Sequence, residues 1–372
     1  MIKVAVTGFR GVPATWGGVE QHCENLYSRL AERGYEITIY ARNYYVPEGM
    51  TAYKGMKIKR LPTLNLKYTD ALLHTLFSLI QILFTKPDIV HIHGIGPCFL
   101  SWIPRLFRPR MKVFFTCHGL DWQRKKWPWW AARLIYLGEV SAILFAQYRI
   151  VVSRELQRYF ASAHGVEAFY IPNGIAPLPP QEPNLIKKWG LTARSYFLCV
   201  GRLVPEKRME DVIRAYSLQP RAFSLVIVGD NAAAGQYMNN LLKLAGNNPS
   251  IIFTGYQFGA VLAELFSSAR AFITASELEG LPITLLEALS YGLMCVTSDI
   301  PPHLELMETL PGLNFKVGDV QAISEHMNDI EIMTETRYDD FKQKAMAMIS
   351  GHFSWDTACD EHDRLYRKSL ND

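Results

Sequence analysis

The stretch Ala271-Phe-Ile-Thr-Ala-Ser276-Glu277-Leu-Glu279-Gly280-Leu281-Pro282-Ile283-Thr-Leu-Leu-Glu287-Ala-Leu-Ser-Tyr-Gly292 decides how the chain is read. A short apolar run with a β-branched residue passes into a polar turn, and a Leu, Glu and Ala segment follows until Gly292 stops it. That is the pattern of strand, loop and helix. In an open parallel sheet, ligands bind where loops leave the carboxyl ends of strands and where helix N-termini offer free N–H groups. Glu279 falls in the loop, and Glu287 lies eight residues on, about two helical turns along. Spacing leaves two readings open. The acids complement a helix dipole, or they hold sugar hydroxyls while backbone amides near Gly280 face a phosphate.

The alternation extends upstream. Tyr196 to Val200 reads as a strand, Gly201-Arg202-Leu-Val-Pro-Glu206-Lys207 as its loop, and Met209 to Leu218 as a helix. Strands at Ser224 to Val228 and Ile251 to Thr254 follow, with helices at Gln236 to Ala245 and Val261 to Ser268. Met294 to Thr297 reads as the last strand, and Asp299-Ile-Pro301-Pro302 as a turn behind it. Arg202 and Lys207 occupy the loop after the first strand of this half, where open sheets hold ligands. An arginine fork and a lysine point charge suit a diphosphate; two surface cations beside a proline turn are the plainer alternative.

The first half repeats the theme. Lys3 to Thr7 is a strand, Gly17-Gly18-Val-Glu20 leads into an amphipathic helix to about Glu32, and Glu36 to Tyr40 is the next strand. The doubled glycine brings bare N–H groups against a phosphate or sugar, or is a turn chosen for packing. It is not G-x-G-x-x-G, which disfavours a nicotinamide dehydrogenase. His91 and His93 share one face of the strand Asp88 to His93. With no third ligand at a matching spacing, they read as satisfied strand histidines rather than a metal site. His118 stands at the carboxyl end of the strand Val113 to Cys117, a better place for function.

The cluster Trp122-Gln-Arg124-Lys125-Lys126-Trp127-Pro-Trp129-Trp130 follows the basic run Arg105 to Lys112. It reads as a belt on anionic lipid or an acceptor platform, or as a solvated loop whose tryptophans anchor it to the core. Ala71 to Phe84 is too short to span a bilayer and reads as a buried helix. Pro177 to Pro183 holds four prolines in seven residues, a linker composition. The expected organisation is therefore α/β, with two doubly wound Rossmann-like domains, 1–176 and 184–352, facing a central cleft. Residues 353–372, entered as a helix with Ser354 as its cap, are expected to pack back on the first domain.

The totals agree with two domains, since 372 residues exceed what one core usually serves. A net charge of +4 argues against a nucleic-acid partner. Six cysteines without a C-x-x-C pair read as reduced core thiols. Met1-Ile-Lys-Val-Ala-Val6 opens as a strand without a signal-peptide pattern, so a cytoplasmic location is expected, peripheral on the inner membrane face if the tryptophan cluster meets lipid.

Taken in order, Gly17-Gly18-Val-Glu20, His118-Gly119, Ile171-Pro-Asn-Gly174, Gly201-Arg-Leu with Lys207, Val228-Gly-Asp230 and Glu279-Gly with Glu287-Ala resemble glycosyltransferase family 4. These are retaining enzymes of the GT-B fold, and the resemblance covers nearly the whole chain. It implies a nucleotide diphosphate sugar as co-substrate, bound mainly by the C-terminal domain, with no further cofactor and no metal. Arg202 and Lys207 would hold the diphosphate, Glu287 the ribose and Glu279 the donor sugar, with Gly280, Leu281 and Ile283 completing the donor contacts. Gly17 and Gly18 would approach the β-phosphate, and His118 the sugar. His118, Glu279, Arg202 and Lys207 are thereby the implied catalytic set. The acceptor would be a glycan or lipid-linked molecule, in cell-surface polysaccharide or glycolipid synthesis.

Two departures stand out. Pro282 replaces a second glycine and supplies no N–H, and Asp299 to Glu305 replaces a Gly-Gly turn. Two other functions fit the residues: a GT-B nucleotide-sugar epimerase, separable by product masses and anomers, and a non-enzymatic binder of nucleotide sugars or membrane surfaces.

Overall fold

The structure, a computed structural model, describes residues 1–15, 17–63, 69–176, 179–230 and 235–371. The chain divides into two compact units: Met1–Gly174 together with Trp355–Asp372, and Ile175–Ser354. Of the proline-rich run at 177–183, the first two residues lie outside the described ones.

The first unit is built on strands β1 (Lys3–Thr7), β2 (Glu36–Arg42), β3 (Ala52–Tyr53), β4 (Met56–Leu61), β5 (Ile89–His93), β6 (Lys112–Cys117), β7 (Tyr148–Val151) and β8 (Phe169–Tyr170). Their order is β3-β4-β2-β1-β5-β6-β7-β8, parallel except for the short β3–β4 hairpin. All five residues of β5 are buried, as a central parallel strand covered on both faces requires. Helices α1 (Gly18–Glu32), α2 (Asp70–Thr85), α3 (Trp102–Phe107), α4 (Trp129–Phe145) and α5 (Arg154–His164) connect the strands.

Two expectations fail here. The apolar segment 71–84 does form a helix, but Phe77, Ile80 and Phe84 of α2 face outward, while its buried side carries His74, Thr75 and Ser78 beside Leu79 and Ile82. The Trp129-Trp130 end of the basic cluster is not loop but the first turn of α4, and both tryptophans are exposed, whereas Trp122 anchors the loop by donating from Nε1 to the buried Glu139 at 3.0 Å.

The second unit holds β9 (Tyr196–Val200), β10 (Ser224–Val228), β11 (Ile251–Gly255), β12 (Ala271–Thr274), β13 (Met294–Ser298) and β14 (Leu313–Phe315), with helices α6 (Met209–Ser217), α7 (Gly235–Ala245), α8 (Gly259–Ser268), α9 (Ile283–Ser290), α10 (Pro301–Met307), α11 (Val320–Glu331) and α12 (Glu335–His352). The sheet is parallel in the order β11-β10-β9-β12-β13-β14. The segment after Met294 is thus not the last strand, since β14 pairs with β13; three residues are too few to show a period. Asp299 to Glu305 is not merely a turn either. Pro301 and Pro302 occupy the first turn of α10, where no intrahelical N–H is needed. The chain then returns to the first unit as α13 (Trp355–Asn371).

Candidate active site

Strand order reverses at one place in each sheet, and such a switch point leaves room for a ligand beyond the carboxyl ends of the strands. In the second unit it falls between β9 and β12, which deliver the Gly201–Lys207 loop and the Ala275–Pro282 loop. The two loops are tied together. The Glu277 N–H donates to the Glu206 carbonyl at 2.9 Å, and Lys207 Nζ donates to Glu279 Oε1 in a half-buried ion pair. Ser276 Oγ donates to the same carboxylate at 2.8 Å. Burial alone would raise the Glu279 carboxyl, yet Lys207, the neighbouring His303 and Ser276 hold it below the usual range. Arg202 is exposed in the same loop. Close packing fixes Gly229 beneath it: a Cβ there would lie 1.9 Å from the Gly201 carbonyl oxygen, at a φ of +150°.

Helix α9 begins at Ile283 with Pro282 as its N-cap, so Glu287 stands one turn into the helix rather than two. This also accounts for Pro282. A cap uses its carbonyl, which accepts from the Leu285 and Leu286 N–H groups at 3.0 and 3.1 Å, and its own N–H is not called on. The first-turn amides of Ile283 and Thr284 have no acceptor within the helix. Burial pushes the Glu287 carboxyl up to about 7.

His303, which the proline-turn reading concealed, is fully buried on α10. Its Nδ1 lies 3.1 Å from the Ser298 carbonyl and 3.0 Å from Ser298 Oγ. A carbonyl can only accept, so Nδ1 carries the proton and Nε2, buried with no partner among the described residues, presents a lone pair. Burial lowers this imidazole to about 4.

In the first unit the switch point falls between β1 and β5. Gly17, the N-cap of α1, has φ 106°, and a Cβ on it would lie 2.2 Å from Glu20 Oε2. The positive φ is what calls for glycine here, since the Glu20 carboxylate end could swing aside, and Gly18 opens the helix beside it. Glu20 is buried and accepts from Arg10 N and Nη1, each at 3.3 Å.

His118, half-buried after β6, has Nε2 3.0 Å from His93 Nδ1. His93 Nε2 meets the Tyr27 hydroxyl at 2.6 Å, and that hydroxyl lies 2.9 Å from His91 Nδ1. His91 is held further by Tyr366 at 2.5 Å and Thr116 at 2.7 Å. His91 and His93 are thus satisfied strand histidines, but two further imidazoles, His22 and His118, gather around His93. His22 of α1 is fixed through Nδ1 to Asn173 Oδ1 at 2.7 Å, and His22, His93 and His118 each offer a ring nitrogen within 4.8 Å of the others. Among the described residues these three could hold a metal ion. Sequence spacing hid the group because topology, not spacing, gathers α1, β5 and the end of β6. Burial lowers all three, His118 to about 4, which keeps them neutral at pH 7.

Two parallel-sheet units, each with glycine loops at its switch point, form the GT-B fold of glycosyltransferases. The Glycosyltransferase Family 4 pattern matches residues 16–177, and the Glycosyl transferases group 1 pattern matches residues 181–348. The chain belongs to glycosyltransferase family 4. It is similar to a lipopolysaccharide 1,6-galactosyltransferase of Salmonella typhimurium, 28% identical over 265 residues, 68% of each chain. It is also similar to a GDP-mannose-dependent alpha-mannosyltransferase of Mycobacterium tuberculosis, 23% identical over 97% of this chain and 95% of the relative. The fold matches that of Anabaena HepE, solved in complex with UDP-glucose, with a TM-score of 0.81 at 18% identity over the full length of both chains.

Proposed function

We propose that this glycosyltransferase is a retaining, metal-independent enzyme that moves a sugar from a nucleotide diphosphate donor to a glycan or lipid-linked acceptor in cell-surface polysaccharide or glycolipid synthesis. The observation that carries the donor half is the joining of the β9 and β12 loops through Lys207 and Glu279, beside the open amides of α9. Arg202 and Lys207 neutralise the diphosphate, and the Ile283 and Thr284 amides add donors to it. Glu287 accepts from the ribose hydroxyls and Glu279 from the donor sugar. Gly17 and Gly18 let backbone approach the β-phosphate, and His118 bonds the sugar. Relatives that use nucleotide-activated mannose or build lipopolysaccharide support the substrate class.

In the reaction, the bond from the anomeric carbon to the β-phosphate oxygen breaks, and the acceptor hydroxyl adds on the face that the leaving group vacates. The acceptor's proton passes to the departing phosphate oxygen, so no side-chain base is needed, and fixed cations stabilise the developing diphosphate charge. The test has two stages. A thermal-shift screen of nucleotide sugars finds the donor, a ligand at about 100 times its Kd adding about 2.7 kcal/mol. Transfer by chelator-treated protein is then followed by NMR of the product anomer. An inverted anomer, or activity lost to the chelator, overturns the mechanism. An isomerised nucleotide sugar in the absence of acceptor identifies an epimerase instead.

A further inference from the structure

Connections β4–α2–β5, β5–α3–β6 and β6–α4–β7 all step the same way across the first sheet. Right-handed crossovers therefore put α2, α3 and α4 on one face. Arg108, just past α3, locks two of them together by donating from Nε to the Leu83 carbonyl of α2 at 3.1 Å. The outward side of this layer is apolar. On α2, Phe77, Ile80 and Phe84 form one stripe at helical spacing, with Phe84 78% exposed. On α4, Trp130, Leu137 and Leu144 repeat every seven residues along a second stripe, with Leu144 68% exposed. Leu106 and Phe107 of α3 stand out as well. A soluble monomer rarely leaves so many large apolar side chains uncovered on one face.

Charge says what covers them. Residues 71–138, which contain all of α2 beyond Asp70, all of α3 and the first half of α4, carry nine Lys and Arg but only two acids, Asp88 and Asp121. Their net charge is +7 in a chain whose total is +4. Asp121 is already paired with Arg124 at 2.9 Å. Lys86, Arg110, Lys125, Lys126 and Arg133 are exposed. A two-fold dimer through this face would set one +7 segment against another. An anionic lipid surface neutralises the charge while its interface takes up Phe, Trp and Leu side chains. Among the described residues no helix is long and apolar enough to cross a membrane, so the fit is to the surface alone.

We propose that the α2–α3–α4 layer is a docking face for an anionic bilayer, the three helices lying along it with Trp130, Leu137, Leu144, Phe77, Ile80 and Phe84 in the headgroup region. This deepens the reading of a lipid-linked acceptor and rests on it only for what the membrane would carry.

The test is flotation of the full chain with vesicles of phosphatidylcholine alone and of phosphatidylcholine with phosphatidylglycerol, at physiological salt. Each cation near such a surface multiplies partitioning by about fivefold. The wild type should float with the anionic vesicles and not the neutral ones. Lys125→Glu with Lys126→Glu, and separately Leu137→Glu with Leu144→Glu, should each lower recovery by about tenfold or more, while circular dichroism and the donor-induced thermal shift stay unchanged. No flotation, or equal recovery with both vesicles, overturns the proposal. So does a dimer in light scattering that Leu137→Glu with Leu144→Glu dissolves. Because donor binding is read separately, a failed donor site and a failed docking face give different results.

Discussion

Lowering the pH from 8 to 6 should weaken donor binding through Glu287. Burial raises this carboxyl to about 7, so about nine tenths of it is ionised at pH 8 and about one tenth at pH 6. If the ribose hydroxyls donate to the ionised form, Kd rises about tenfold across that interval, or about 1.4 kcal/mol. The ionisable groups of the same unit's loops do not titrate there: Glu279 is held below the usual carboxylate range, and His303 sits near 4. Unliganded stability moves the other way. A carboxyl raised in the fold costs stability when ionised, so its cost fades as pH falls through about 7 toward its unfolded value. Acidification should therefore weaken the donor without loosening the protein. Calorimetry with the best nucleotide sugar from the thermal-shift screen, at several pH values, measures Kd and the linked proton release. Glu287→Gln should flatten both. A wild-type Kd that does not change between pH 8 and 6, or a slope that survives in Glu287→Gln, would refute the reasoning.

Lys207→Ala should strand the Glu279 charge and lower the melting transition, at a cost of about 3 kcal/mol, with Lys207→Ala/Glu279→Gln recovering stability but not transfer; equal melting temperatures for single and double variants would count against the pair. Gly229→Ala, forced to place Cβ 1.9 Å from the Gly201 oxygen, should cost more than about 3 kcal/mol, read as loss of soluble protein or a sharply lowered melt. His118→Ala should reduce kcat by about a hundredfold or more. His93→Gln, which can still bond to His118, should retain most of the rate lost in His93→Phe; identical rates for the two would dismiss the bond as a positioning contact.

The strand, loop and helix grammar was legible because buried parallel strands such as β5 and β9 are continuous apolar runs, closed by glycine turns. The loops of the proposed donor site were legible as loops for the same reason, since Arg202, Lys207, Glu279 and Glu287 all follow strand ends. What local pattern could not carry was partnership. Lys207 and Glu279 are 72 residues apart, and only the adjacency of β9 and β12 brings them together. His22 meets His118 through three different elements, and His303 was hidden behind two prolines that begin a helix instead of ending one. The outward face of α2 was also illegible, because the polar residues that interrupt it, His74, Thr75 and Ser78, lie on its buried side while Phe77, Ile80 and Phe84 face out, the reverse of an ordinary amphipathic helix. Pro282 looked like a defect until its place as an N-cap showed that the missing N–H is not used.

The return of α13 to the first unit has a consequence for how the chain is made. Tyr366, which bonds His91, follows some 190 residues after the first unit's last preceding residue, Gly174. At about 5–20 residues per second, the ribosome takes on the order of 10–40 seconds to supply it. During that time the second unit is synthesised and free to fold, while the wall of the histidine network nearest α1 stands uncovered. Chains that stop short of residue 355 would carry a complete second unit and an unfinished first one. Their uncovered Tyr27, His91 and Cys23 would give chaperones and proteases a way to tell an incomplete transferase from a finished one.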